Sequence, residues 1–370
     1  MTGPFPAGVV DQLPTPCLLV DAAAAGRNIA RCADYFASGP VRLRPHFKAH
    51  KCTELIRRQV SAGGCAGVAC QTSWEALLLA RSGFTDILIT NQIVDSRALD
   101  EVAAAARMAE VTVAIDDLAH VALLAELAAR QQVPLGVLIE LDVGAGRCGL
   151  EFGSPDLIPL ATAVSRQPGL TLRGLQAYEG HAVQRDPRRV RATLVRQAAG
   201  QVRAEQDRLA AAGFSGPVVS GGGTGTWDLA AQAGALTEIQ AGSYVLMDAR
   251  YGSLDLPFEP ALYSVATVIS SRGQGAVLNV GLKELTAEYG LPAIQLPGAR
   301  VTGLSDEHAT VSLAPGTLLP VGRRVLLIPA HVDPAVNLYD CLFAWEDGTL
   351  AEWPVDGRRS YRLQPPAGSP

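Results

Sequence analysis

The sequence predicts an α/β chain: a (β/α)8 TIM-type barrel with a second, mostly β C-terminal domain. Three observations carry that expectation. Short apolar, β-branched runs recur between residues 41 and 240, most of them separated by Ala/Leu/Arg-rich stretches of helical spacing, the alternation that parallel βα units produce. Polar residues gather just behind those runs, where the C-terminal strand ends of a barrel hold its working groups. Beyond about residue 250 the texture changes to short β-prone runs broken by Gly, Pro and Asp.

In chain order, residues 13–21 read as a strand ending in a helix N-cap at Asp21, with 22–36 helical behind it. Strand-like runs follow near 41–44, 66–69, 86–90, 111–115, 135–141, 172–177, 217–220 and 237–240. Helical stretches at 74–81, 97–108, 118–130 and 190–212 lie between them. A doubly wound open sheet is the competing arrangement. The barrel is favoured because the strand ends carry Lys48, Gln71, Asn91, Asp116, Asp142 with Arg147, Tyr178 with His181, Gly221 to Thr226, and Gly242 to Tyr244. Further β-prone runs fall at 261–270, 275–280, 308–313, 325–328 and 339–345. The expected division is a barrel over 20–250, a β domain from 1–19 plus 251–362, and a flexible tail at 363–370.

At 370 residues the chain can bury a large core, and 48% hydrophobic content with 18% charged residues and a net charge of −5 fits an ordinary soluble protein. That balance gives no reason to expect nucleic-acid or membrane partners. Seven scattered cysteines without a CxxC pair read as reduced thiols, and no signal-like or membrane-spanning run is present. The expected location is the cytoplasm.

Two stretches have chemical content. Arg44-Pro45-His46-Phe47-Lys48-Ala49-His50-Lys51 gathers cationic groups around one lysine at a strand end, where an amine with a lowered pKa can form a Schiff base. A solvated basic loop is the plain alternative. Ser220-Gly221-Gly222-Gly223-Thr224-Gly225-Thr226 follows the seventh strand and precedes a helical run, so its backbone N–H groups and a helix N-terminus make a phosphate cradle. It lacks the Gly-Lys-Ser/Thr ending of a Walker loop and the leading βαβ unit of a dinucleotide fingerprint. A tight connection would use the same glycines. A lysine and a phosphate nest across one barrel mouth suggest pyridoxal 5'-phosphate (PLP).

Several motifs occur together and in order: Pro14-Thr15-Pro16 with Val20-Asp21, Arg44-Pro45-His46-x-Lys48-x-His50-Lys51, Ala177-Tyr178-x-Gly180-His181, Gly222-Gly223-Thr224-Gly225, Gly242-Ser243-Tyr244 and Pro329-x-His331-x-Asp333-Pro334. In this the chain resembles the D-threonine aldolases and D-serine dehydratases, fold-type III PLP enzymes similar to alanine racemase, over roughly residues 13–345. The resemblance implies that Lys48 is the Schiff-base lysine, with Lys51 the alternative on the same loop. It implies that Arg147 meets the cofactor's phenolic oxygen and that Tyr178 faces the pyridine nitrogen as a neutral phenol. Gln71, Gly222, Gly223, Thr224, Gly225, Gly242, Ser243 and Tyr244 complete the implied cofactor set.

His331 and Asp333, read as i and i+2 of an extended segment, point the same way and could grip one divalent ion, Mn, Mg, Co or Zn. Dehydratase members carry Cys where this chain has Asp333, which tilts the expected reaction towards aldol cleavage of D-β-hydroxy-α-amino acids. A D-serine or D-hydroxyaspartate dehydratase is the runner-up; a racemase or a non-catalytic PLP carrier leaves the metal pair unexplained. His181 is the expected base, with His46 and His50 as rivals. The resemblance also implies a head-to-tail homodimer acting on a small D-amino acid.

Overall fold

The computed structural model describes residues 4–6 and 8–359; the tail at 363–370 lies outside them. The chain enters through β1 (Cys17–Asp21) and α1 (Ala22–Ala37), and the Asp21 carboxylate caps the helix by accepting from Ala24 N–H at 2.9 Å. Eight parallel strands follow, interleaved with helices. They are β2 (Arg42–Leu43), β3 (Val68–Cys70), β4 (Asp86–Ile89), β5 (Glu110–Ile115), β6 (Leu135–Asp142), then, past the two-residue β7 (Leu150–Glu151), β8 (Leu170–Ala177), β9 (Val218–Gly221) and β10 (Glu238–Ile239).

The ladder runs β2-β10-β9-β8-β6-β5-β4-β3, and β7 pairs only with the end of β6. Parallel bridges from Leu43 to Cys65 and from His46 to Ala69 join the first strand's line to the second's, which closes the barrel. The helices on its outside are α2 (Thr53–Ser61), α3 (Ser73–Arg81), α4 (Ser96–Ala106), α5 (Leu118–Gln131), α6 (Leu157–Ser165), α7 (Arg188–Ala211) and α8 (Trp227–Gln232). Strands covered on both faces need apolar side chains on both, and Val137, Leu138 and Ile139 of β6 are all buried. Helix residues Leu79, Val102, Leu124, Leu160 and Val202 complete that core.

Arg44 leaves the basic octet altogether. Its guanidinium is buried and reaches the first residues of two barrel strands, bonding Glu238 at 2.7 Å and Asp86 at 2.8 Å. It ties β2 to the N-terminal ends of β4 and β10 rather than joining the lysine in the cavity.

After the short α9 (Ala249–Gly252), a second sheet is built from β11 (Leu262–Arg272), β12 (Gly275–Leu278), β13 (Ala293–Ile294), β14 (Ala299–Leu304), β15 (Ala309–Leu313), β16 (Arg324–Ile328), β17 (Cys341–Glu346) and β18 (Thr349–Pro354). The order is β14-β15-β12-β11-β1-β17-β18, with β16 on β11 and β13. The N-terminal β1 thus lies inside this sheet, antiparallel to β11 and parallel to β17. No described helix is long and apolar enough to cross a membrane.

Candidate active site

The barrel mouth holds a cavity of about 410 Å³, a size that suits a cofactor or substrate. Among its lining residues are Lys48, Gln71, Arg147, Tyr178, His181, Gly222, Gly223, Thr224, Gly242, Ser243, His331 and Asp333. Twelve of the fourteen residues expected to act in catalysis, cofactor binding or metal binding therefore converge on one space, and the rival base His46 lines it too. Gly225 and Tyr244 do not line it. A Cβ on Gly225 would fall 1.6 Å from Val183 O, so this glycine permits close backbone packing behind the cradle. The Tyr244 ring is fully buried against Phe258, and only its backbone N–H serves the site, donating to Thr224 Oγ1 at 3.0 Å.

Lys48 sits in a 3-10 turn, Phe47–Ala49, directly after the first barrel strand. The chain contains three lysines, 48, 51 and 283. Lys51 is taken up by the buried Glu75 carboxylate at 2.9 Å, and Lys283 pairs with Glu307 at 2.6 Å. Lys48 has no ion pair among the described residues; its Nζ stands 5.9 Å from the Tyr178 ring centre. The plain reading of the octet as a solvated basic loop fails, because His46, Phe47 and His50 are buried.

The structure also corrects the expectation of clustered cations. His46 Nδ1 accepts from Lys48 N–H at 3.4 Å, and its Nε2 lies 3.0 Å from Thr90 Oγ1, whose own hydrogen is directed to Cys70 O or Gln71 Oε1. The ring is thus the neutral Nε2–H tautomer, and burial, then Lys48, pushes its pKa well below the usual histidine value. His50 is held the same way, by Cys52 N–H at 3.2 Å and Gln59 Oε1 at 2.9 Å, and burial lowers it to about 4. Both rings have their nitrogens occupied, although His46 also lines the cavity. His181 lines it too and differs in that its Nδ1 has no partner among the described residues. Burial, then Arg185, lowers its pKa below the usual value.

The glycine turn is held from behind by Glu179, which accepts from Gly222 N–H at 3.1 Å and from the Thr226 hydroxyl at 2.6 Å. Burial raises this carboxyl above its ordinary range. The N–H of Gly223 is also used within the turn, donating to Thr226 Oγ1 at 3.3 Å, and the helix that follows, α8, has only six residues, so an anion here would rely on the turn's remaining backbone N–H groups rather than on a long helix dipole. At the neighbouring turn, a Cβ on Gly242 would lie 2.5 Å from His46 O. Glycine there lets the eighth-strand loop pack directly on the Lys48 loop. Tyr178 is raised above the ordinary phenol value by burial and then by Glu179 and Asp333, so it stays neutral. Arg147 lies 5.9 Å from the Tyr178 ring and 3.9 Å from Glu140.

His331 and Asp333 do not lie in an extended segment as expected. His331 has β conformation and caps a short helix, α10 (Val332–Val336), with Asp333 in its first turn. Both nevertheless face the cavity, with His331 Nε2 3.7 Å from Asp333 Oδ1. Asp333 Oδ1 also accepts from the Ser243 hydroxyl at 2.9 Å, and buried Asp248 accepts from Val332 N–H at 3.2 Å. These contacts tie the pair to the eighth-strand loop. No group of three or more His, Cys, Asp or Glu side chains is arranged as a metal site among the described residues, so an ion here would rest on two protein ligands.

Sequence reasoning missed Thr90, Gln176, Gln240, Tyr251 and Tyr289, which also line the cavity. Gln176 and Gln240 lie on or just after barrel strands, so inward parity could have found them. Tyr289 lies outside the named strands and helices, where no periodicity marks it.

Comparison with known proteins agrees with this geometry. The alanine racemase N-terminal domain model matches residues 20–250, and the putative serine dehydratase domain model matches 261–345. The D-threonine aldolase of Arthrobacter sp. is 37% identical, over 95% of each chain. A 3-hydroxy-D-aspartate aldolase of Paracoccus denitrificans is 35% identical, over 94% of this chain and 92% of the relative. The crystal structure of D-threonine aldolase from Filomicrobium marinum superposes with a TM-score of 0.89 at 33% identity, over 95% of this chain and 96% of that one. D-threo-3-hydroxyaspartate dehydratase of Delftia sp. HT23 superposes with a TM-score of 0.84 at 25% identity, over 93% and 98%. With a lysine, a glycine cradle and a neutral tyrosine lining one barrel cavity, the residues fit PLP, and the chain belongs to the alanine-racemase-like, fold-type III family of PLP enzymes that includes the D-threonine aldolases and D-serine dehydratases.

Proposed function

We propose that this chain is a PLP- and divalent-metal-dependent aldolase cleaving D-β-hydroxy-α-amino acids, of the D-threonine or 3-hydroxy-D-aspartate kind. The products are a simpler amino acid such as glycine and an aldehyde or keto acid. One observation carries the reading: a single cavity holds both a lysine free of any ion pair among the described residues and the adjacent His331 and Asp333. When bound, PLP supplies an electron sink at the substrate's α-carbon, and a divalent ion supplies a Lewis acid at its hydroxyl.

The chain's own groups do the positioning. Lys48 Nζ, free of any ion pair among the described residues, would hold the cofactor's aldehyde group. Gly222, Gly223, Thr224, Gly242 and Ser243 would surround the phosphate, with Gly225 and Tyr244 keeping those segments in register. Arg147 would hold the phenolic oxygen, and Gln71, tied to Thr90, would border the ring. Tyr178 would meet the pyridine nitrogen as a neutral phenol, which would make the ring a modest sink and leave work for another charge-stabilising group. His331 Nε2 and Asp333 would hold that ion, a donor set open to Mn, Mg, Co or Zn. His181, unpartnered at Nδ1, takes the hydroxyl proton. The O–H electrons would then form the product carbonyl as the Cα–Cβ bond breaks, its electron pair would stay with Cα, and Cα would take up one proton, balancing the one His181 removed, to give the simpler amino acid.

The barrel unit of 20–250, the β unit of 1–19 plus 251–362 that carries the metal pair, a homodimer and a cytoplasmic location belong to the same proposal. The seven cysteines are free, which suits a reducing compartment. Sedimentation tests the dimer. The dehydratase reading is supported by the dehydratase relatives, one of 29% identity. Incubation with D-threonine and with D-serine separates the two. Acetaldehyde with glycine supports the aldolase; pyruvate with ammonia from D-serine and no acetaldehyde from D-threonine supports the dehydratase.

A further inference from the structure

His331 has a second contact that the proposed function does not use. Its Nδ1, the nitrogen turned away from Asp333, bonds the Glu288 carboxylate. The Tyr289 ring packs on the imidazole with centroids 4.7 Å apart. Both residues lie between β12 and β13, in a segment fixed at several points. Leu282 N–H donates to Ser305 O, Leu285 N–H to Gly281 O, and Gly290 N–H to Ala287 O, while Leu285 is fully buried. Glu284 accepts from Gly281 N–H at 2.9 Å. The carboxylate is therefore presented by a built turn.

We propose that Glu288 is a positioning residue for the metal pair: by accepting Nδ1–H it fixes His331 as the tautomer whose Nε2 lone pair faces the cavity beside Asp333. Tyr289 restrains the rotation of the same ring. The inference rests on the metal reading of His331 and Asp333. Its physical basis is general, since an imidazole ligand needs its second nitrogen held by an acceptor to stay in one tautomer and orientation, and loss of that acceptor typically weakens metal binding about 10- to 100-fold. Glu288 is about half exposed, as an acceptor at the rim would be.

The test is a Mn2+ titration of the metal-stripped, PLP-loaded protein, read from the electron paramagnetic resonance of free Mn2+ and so independent of turnover. Glu288→Ala is expected to bind Mn2+ about 10- to 100-fold more weakly than wild type. Glu288→Gln, whose amide oxygen still accepts Nδ1–H, is expected to recover most of that loss, with the PLP absorbance unchanged in both. Equal affinity in wild type and Glu288→Ala overturns the inference while leaving the metal reading intact. Equal loss in the Gln and Ala variants also overturns it, because it makes the carboxylate a direct ligand. Absence of any saturable Mn2+ site in wild type overturns the metal reading itself.

Discussion

Replacing His50 by Asn isolates the burial that keeps the Lys48 loop neutral. His50 is fully buried between Cys52 N–H and Gln59, and its pKa falls from 6.5 to about 4 through burial. The sign follows from proton linkage. The unfolded chain takes up the proton first, so stability is intact above about pH 6.5, declines as the pH falls, and stops declining below about pH 4. At about 1.4 kcal/mol per pKa unit the whole interval is worth about 3 kcal/mol, of which about 2 is lost by about pH 5. Asn keeps an acceptor for Cys52 N–H and cannot be protonated in this range. Urea unfolding of the two proteins should show wild type losing about 2 kcal/mol more than His50→Asn between about pH 7.5 and about pH 5. Parallel profiles would mean that the folded protein accommodates a charged imidazole, and the neutral-loop argument would be wrong.

Arg44→Met leaves Glu238 buried without its partner and should destabilise the fold by about 3–5 kcal/mol in urea unfolding, whereas exposed Arg27→Met should have little effect. Gly225→Ala sets a Cβ against Val183 O; overpacking of about 1–3 kcal/mol, taken from binding, should weaken PLP about ten- to a hundredfold by absorbance titration. Chelator treatment should abolish D-threonine cleavage in wild type and Mn2+ should restore it, while Asp333→Ala stays on the order of a hundredfold or more below wild type at the same Mn2+ concentration.

Much of the barrel was legible because its strands, covered on both faces, write continuous apolar runs. The eight expected runs match β2 to β6 and β8 to β10 within a few residues. Asp21 was readable as a cap because only its side chain could serve the first turn of α1. Helix α6 was missed: Pro159 argues against a helix from sequence, yet it falls in the first turn, where its missing N–H costs nothing. Strands β14 and β18 were missed because Val301 and Trp353 are their only buried residues, so no apolar alternation shows, and Gly303 and Pro354 interrupt the pattern.

The site was legible as motifs but not as electrostatics. Nothing local tells that Arg44 is claimed by Glu238 and Lys51 by Glu75, contacts that bridge 194 residues in the first case. Those distant partners strip the octet of its cations and leave Lys48 as the lysine facing the cavity. For His331 and Asp333 the reason differed from the one expected: a helix cap, not a strand, turns both inward.

The most direct test of this account is to locate the cofactor's attachment. PLP-loaded protein is reduced with borohydride, digested and mapped by mass spectrometry. With lysines only at 48, 51 and 283 the outcome is unambiguous: the pyridoxyl group is predicted on Lys48 alone, and Lys48→Ala should carry none. Label on Lys51 or Lys283, or retained in Lys48→Ala, would contradict the assignment on which the proposed chemistry rests.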